Sequence, residues 1–240
     1  MTLNARRRLP FWVAFLLALA FTTACNFNRS KAPATNNASP TGNTSSHGTA
    51  FTPSSDARKD LREALERLKT AFPYRLTENS SGTADGRDLP AGTRVVEFAS
   101  ADRTHTTWTN GPTGNSELIT IGDQRYSRSN NGNWTAGSLP GLAQRQAMEK
   151  RMREMMESAF KDVQYIGPDT INGAPCHAFT YTMEMDLSDQ KWNVTGKAWI
   201  GSSDGFPHQI DSETTVSSYK QKSHITYEYN VDFKVEKPVM

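Results

Sequence analysis

The residues with most chemical scope in this chain are two cysteines and five histidines. Cys25 closes the stretch LALAFTTACNF (18–28), where a short apolar run gives way to small residues. A thiol in that position suits covalent modification better than catalysis. Cys176 and His177 are adjacent, but neighbours on a strand point to opposite faces, which speaks against a nucleophile–base pair. His47, His105, His177, His208 and His224 show no metal-ligand spacing. The chain has no G-x-S-x-G, glycine-rich phosphate loop or H-E-x-x-H. DGRD (85–88) could hold a cation but reads as a hydrophilic loop. The expectation is a protein without catalytic residues, metal site or cofactor.

Around Cys25 the pattern is that of a leader. Arg6, Arg7 and Arg8 precede an eleven-residue apolar run, Phe11 to Phe21. That is short of the roughly 20 residues a membrane span needs and suits the apolar part of a signal peptide. Thr22, Thr23 and Ala24 then lead into Cys25, a pattern similar to a bacterial lipobox with Thr22 in place of the usual Leu. Read so, residues 1–24 are removed and Cys25 becomes a lipidated N-terminus carrying palmitate-type acyl chains. Two or three chains, at about 0.8 kcal/mol per buried CH₂, hold a protein durably at a bilayer. Two other readings stay open: an ordinary secretory signal with an incidental cysteine, and a Cys25–Cys176 disulfide in an exported protein.

Cleavage changes the charge. The whole chain has 27 basic and 25 acidic residues, and the leader takes three arginines with it. The remainder is close to neutral, so no basic surface argues for nucleic acid.

Residues 25–55 are rich in Asn, Ser, Thr, Ala, Gly and Pro and read as a flexible tether. It would span about 30 Å, at roughly 5–6 Å times the square root of its length. Residues 56–240 are then one folded domain. The first helix starts near Ser54 to Asp56, carries Leu61, Leu65, Leu68 and Phe72 on one side, and ends at Pro73. Strands follow at 93–100, 105–110, 116–121 and 124–129, separated by turn clusters. Residues 81–92 and 136–141 read as loops at the rim.

A second helix, about Leu142 to Lys161, places Met148, Met152, Met155 and Met156 on one face against a charged opposite face. Strand patterns then run to the C-terminus. Phe179, Tyr181 and Met183 alternate with polar residues. Ile225, Tyr227, Tyr229, Val231, Phe233 and Val235 do the same, as in an antiparallel sheet covered on one side. About ten strands and two helices imply an α+β, mainly β fold: a curled antiparallel sheet, an incomplete barrel wrapped around or capped by the helices.

This order resembles the LolA/LolB-like lipoprotein carrier superfamily, in its LppX/LprG-type branch. Three stretches carry the likeness: GDQRYSRSNNGNW (122–134), VQYIGPDTINGAPCHAFTYTM (163–183) and KAWIGSSDGFPHQIDSE (197–213). Gly201 stands where that family often has Asp. The resemblance implies an unclosed β-barrel whose apolar interior accepts acyl chains, with a lipid as ligand and an envelope transport protein as partner.

The candidate cavity residues are Met148, Met152, Met155, Met156, Phe179, Tyr181, Met183, Tyr227, Tyr229 and Phe233. Methionine adapts to ligands of varied shape. Core wall and cavity wall use the same residue types, so both readings of these ten remain open. Asn26 after the cysteine, in place of Asp, favours the outer membrane. A second reading of the whole is an envelope scaffold that uses the same fold, with a filled core, to bind a protein.

Overall fold

The computed structural model describes residues 50–111, 114–187 and 190–240. The leader, Cys25, Asn26 and most of the tether lie outside them. The strands are β1 (Tyr74–Ala84), β2 (Arg87–Ser100), β3 (Arg103–Gly111), β4 (Gly114–Ile121), β5 (Gln124–Ser129) and β6 (Thr135–Ser138). After a helix come β7 (Phe160–Ile171), β8 (Ala174–Leu187), β9 (Gln190–Gly201), β10 (Pro207–Val216) and β11 (Tyr219–Tyr229). All eleven form one antiparallel sheet in the order β6-β5-β4-β3-β2-β1-β11-β10-β9-β8-β7. The edges β6 and β7 do not pair, so the sheet is an unclosed barrel, as the strand count predicts.

Two helices supply the rest. α1 (Ala57–Arg67) is capped by Asp56, whose side chain accepts from the Lys59 amide, and not by Ser54 or Ser55. Ser54 instead donates its amide and hydroxyl to the buried Asp60 carboxylate, at 2.6 and 2.8 Å. Leu61 and Leu68 are buried, and Leu65 and Phe72 pack beside them. α1 lies against β7 and β9, and α2 (Leu142–Ala159) against β7 and β8.

The packed domain reaches back before residue 56. Phe51 is buried against Phe179 and His177, and its amide donates to the Ser202 carbonyl at 2.9 Å.

Three other expectations are corrected. Residues 81–92 are not a rim loop; they belong to the long β1–β2 hairpin. Asp85 and Gly86 both have positive φ (51° and 72°), the backbone of a two-residue hairpin turn that continues strand twist. Polar residues along TENSSGTA hid the strand because one end of this hairpin is open to solvent. The rim loop expected at 136–141 overlaps β6, the short edge strand. Finally, the last strand stops at Tyr229, with Asn230 at φ 57°. Phe233 and Val235 therefore leave the alternation and pack with Ile119 and Tyr126 in a second cluster.

The main core lies on the concave side, where Phe179, Met183, Leu76, Phe98, Ile210 and Ile225 are all buried. The opposite side carries a charge ladder across neighbouring strands. Arg75 pairs with Glu97 and Glu228, His105 lies between Glu97 and Glu117, and Arg128 pairs with Glu117.

Candidate lipid cavity

Strand register produces the most informative feature of the concave face. Tyr181 is opposite Gly196, Gly196 opposite Ser212, Ser212 opposite Ser223, Ser223 opposite Ser80, and Ser80 opposite Gly92. One transverse row across six strands thus contains a tyrosine, two glycines and three serines. Residues two apart on a strand share a face. The rows beside it carry larger side chains: Phe179, Ile210 and Ile225 on one side, with Ala198 among them, and Met183 and Val194 on the other. Small side chains leave a trough where large ones would meet.

A groove of about 870 Å³ runs behind this row, on the other face of the sheet: beside Tyr181, Gly196, Ser212, Ser223 and Ser80 it is lined by Thr180, Asp211, His224 and Asn79 in one flanking row and by Thr182, Thr195, Glu213 and Lys222 in the other. On the concave face the row's glycine is required. A Cβ at Gly196 would lie 2.4 Å from Tyr181 Cζ and 2.8 Å from the Asp211 carbonyl oxygen.

A polar track crosses the concave face. The Tyr219 hydroxyl donates to Gln221 Oε1 (2.6 Å), Gln221 Nε2 to Ser223 Oγ (3.2 Å), and Ser223 Oγ to Glu78 Oε1 (2.9 Å). Glu78 Oε2 then meets Arg94 Nη2 at 2.9 Å, an ion pair buried on both sides. Nη2 is close, but its N–H misses hydrogen-bond geometry. Nη2 and Nε of Arg94, and the Tyr227 hydroxyl, are buried with no hydrogen-bond partner. Burial pushes the phenols of Tyr181 and Tyr227 well up from their ordinary value, so both are neutral donors.

The ten candidates are dispersed by the fold. Tyr181 is buried on the concave face with its ring over Gly196. Phe179 and Met183 are fully buried core, 0% and 1% exposed. Tyr227 is buried beside the track, and Tyr229, partly buried, donates its hydroxyl to the Pro207 carbonyl. Met155 and Met156 pack against the main core, Met152 is half-buried, and Met148 is 58% exposed. Phe233 stands in the second cluster.

Ser80, Ser212, Ser223, Gly196, Glu78 and Arg94 escape sequence reading. The available signal was polar residues recurring at inward positions, as Ser212 does two after Ile210 and Ser223 two before Ile225.

Elsewhere, Cys176 and His177 point to opposite faces. Cys176 packs with Ala178 and Trp199, where burial pushes its thiol up, while His177 contacts Phe51 and Tyr165. Asp169 accepts from Trp199 Nε1 (2.8 Å) and Lys197 Nζ (3.2 Å). Those bonds, with the Thr170 amide, lower its carboxyl from the usual 3.8 to about 2, the Trp199 bond contributing most. Among the described residues no cluster of three metal-ligating side chains occurs, and no helix is long and apolar enough to cross a membrane.

No family model and no curated protein sequence matches this chain. Solved structures do. The lipoprotein LppX of Mycobacterium tuberculosis aligns over 75% of this chain and 98% of its own, at 15% identity and a TM-score of 0.52. LprF of Mycobacterium bovis aligns over 79% of this chain and 100% of its own, at 10% identity and a TM-score of 0.47. A LolA-superfamily protein of Nitrosomonas europaea covers 75% and 97%, at 10% identity and a TM-score of 0.33. The likeness at these identities is one of fold. The chain has the fold of LppX, as the resemblance of its hairpin motifs implies.

Proposed function

We propose that this protein is a lipid-binding lipoprotein of the bacterial cell envelope. It is tethered through Cys25 and holds an acyl chain in its half-barrel. The carrying observation is the unclosed antiparallel sheet, whose concave face is apolar and is crossed by a row of small residues. The LppX-type fold supports it, as LppX is itself a lipoprotein.

The mechanism is transfer without catalysis. Each buried CH₂ contributes about 0.8 kcal/mol, enough to hold a chain and to let it exchange. The tether between Cys25 and Phe51 lets the domain turn from the membrane toward an envelope transport partner. The absence of Asp after Cys25 favours the outer membrane, with the domain facing the periplasm.

The test is native mass spectrometry of residues 26–240 purified without detergent, followed by organic extraction. A bound lipid released on extraction is expected. A clean protein mass that added lipids do not change would overturn the reading.

A second reading rests on the β7 edge, which leaves Tyr165 39% and Ile166 55% exposed beside unpaired backbone. Such an edge suits a protein partner that adds a strand. A filled cavity together with capture of an envelope protein at this edge would favour it.

A further inference from the structure

β4 and β5 reverse the polarity of the sheet. Their inner face carries Ser116, Thr120, Arg125 and Ser127 beside one leucine, Leu118, in the rows that continue Thr104 and the buried Phe98. Ile119, Ile121 and Tyr126 point outward, on the side of His105 and the charge ladder. An apolar strip on the outer face adds nothing to the main core, and exposed patches of this kind mark contact surfaces. Here the chain's own C-terminus covers the strip. Beyond Asn230, Phe233 and Val235 pack on Ile119 and Tyr126, and Val235 is 5% exposed. Asp232, Lys234 and Glu236 alternate with them and face solvent.

This cover is weakly fixed. Residues 231–240 join no strand. Their main chain meets the sheet through a long hydrogen bond, Arg103 Nη1 to the Val235 carbonyl at 3.4 Å. Two cation–π contacts add to it: Arg75 over the Phe233 ring at 5.8 Å, and Lys237 over the Tyr126 ring at 5.7 Å. The segment ends in the exposed Val239 and Met240. Terminal segments held by side chains and not by a ladder open at little cost. We infer that the outward strip of β4 and β5 is a docking site for an extended segment of a partner protein. That segment carries an aromatic residue, a β-branched one two places on, and a lysine or arginine two further, as Phe233, Val235 and Lys237 do. The C-terminus holds the site in cis as a replaceable cover. The strip lies on the outer face, so the site stands whether or not the interior holds lipid.

The test uses the purified protein and a fluorescently labelled peptide of residues 230–240. In the variant Phe233→Ser/Val235→Ser the cover no longer grips the strip. This released variant is expected to bind the peptide in an anisotropy titration. The wild type should bind it at least roughly tenfold more weakly, because its own segment competes at an effective concentration on the order of millimolar. Tyr126→Ala in the released variant should cost roughly tenfold in affinity, the scale of an aromatic anchor at an interface. Phe233→Ser in the peptide should cost about the same. Lys237→Glu in the peptide should cost roughly two- to fivefold, the scale of an exposed cation–π contact.

A released variant that melts as cooperatively as the wild type but does not bind the peptide overturns the inference. Equal binding by the wild type would put the peptide elsewhere, and also overturns it. Loss of the folded state on release would make the C-terminus a fixed part of the domain, with the same consequence. A wild-type dimer in size-exclusion chromatography that the released variant loses would assign the strip to a second copy's C-terminus, and overturns the partner.

Discussion

Tyr181 lies over Gly196, its opposite number on β9, so closely that no side chain fits beneath the ring. This contact leaves Tyr181 5% exposed on the concave face. Gly196→Val should therefore destabilise the fold by about 1–3 kcal/mol, as overpacked core positions do. It should also weaken binding of a fluorescent acyl probe, because the new methyls would occupy the trough floor. Urea denaturation and probe titration on one preparation read both effects.

The buried pair of Arg94 and Glu78 gives an asymmetric expectation. Arg94→Met alone strands a carboxylate and should cost about 3–5 kcal/mol. Arg94→Met/Glu78→Leu removes both charges and should come close to wild-type stability. Denaturant midpoints for the two variants decide it. Equal losses would mean that the pair stabilises the fold outright.

Asp169 sets a pH signature. Its carboxyl is lowered from the usual 3.8 to about 2, so the folded state holds the charged form more tightly than the unfolded chain does. The stability it contributes is then complete above about pH 4, the unfolded pKa, and disappears as pH falls through 2. Asp169→Asn should be less stable than wild type at neutral pH, with the gap closing below pH 4. Trp199 fluorescence should titrate near pH 2 in the wild type and not in the variant. A gap constant down to pH 2 would contradict the assignment.

The methionine face of α2 divides by burial. Met155 packs against the core, while Met148 is 58% exposed. Met155→Asp should lower lipid loading roughly tenfold, corresponding to about 1–2 kcal/mol of lost apolar burial. Met148→Asp should leave loading unchanged. Thermal melts accompany the loading assay, so that unfolding of Met155→Asp is distinguished from loss of ligand.

The hairpin chemistry was legible where turn residues demanded it. Asn172-Gly173 joins β7 to β8 as read from sequence, because positive φ at both residues favours that pair. Asp85-Gly86 does the same for β1 and β2, yet its flanks are polar and were read as loop. Periodicity detects a strand only when one face is buried along its length, and the open end of this hairpin is not. Likewise the alternation through Phe233 and Val235 is genuine, but after Tyr229 it serves a different cluster.

What the sequence determined by itself was local and periodic: an α+β, mainly β chain, helix then strands then helix then strands, and an apolar face too long for two helices to cover. Hairpin motifs carried it as far as the unclosed barrel. Which apolar residues meet other bulky ones and which meet the row of small residues was decided only in three dimensions. Phe179 and Tyr181 are equivalent in the strand pattern, yet Phe179 meets the row of Ala198, Ile210 and Ile225, and Tyr181 meets Gly196, Ser212 and Ser223. Those partners lie on strands far apart in the chain. A trough exists only where register brings small residues from several strands into one line, and register belongs to the sheet and not to any one strand.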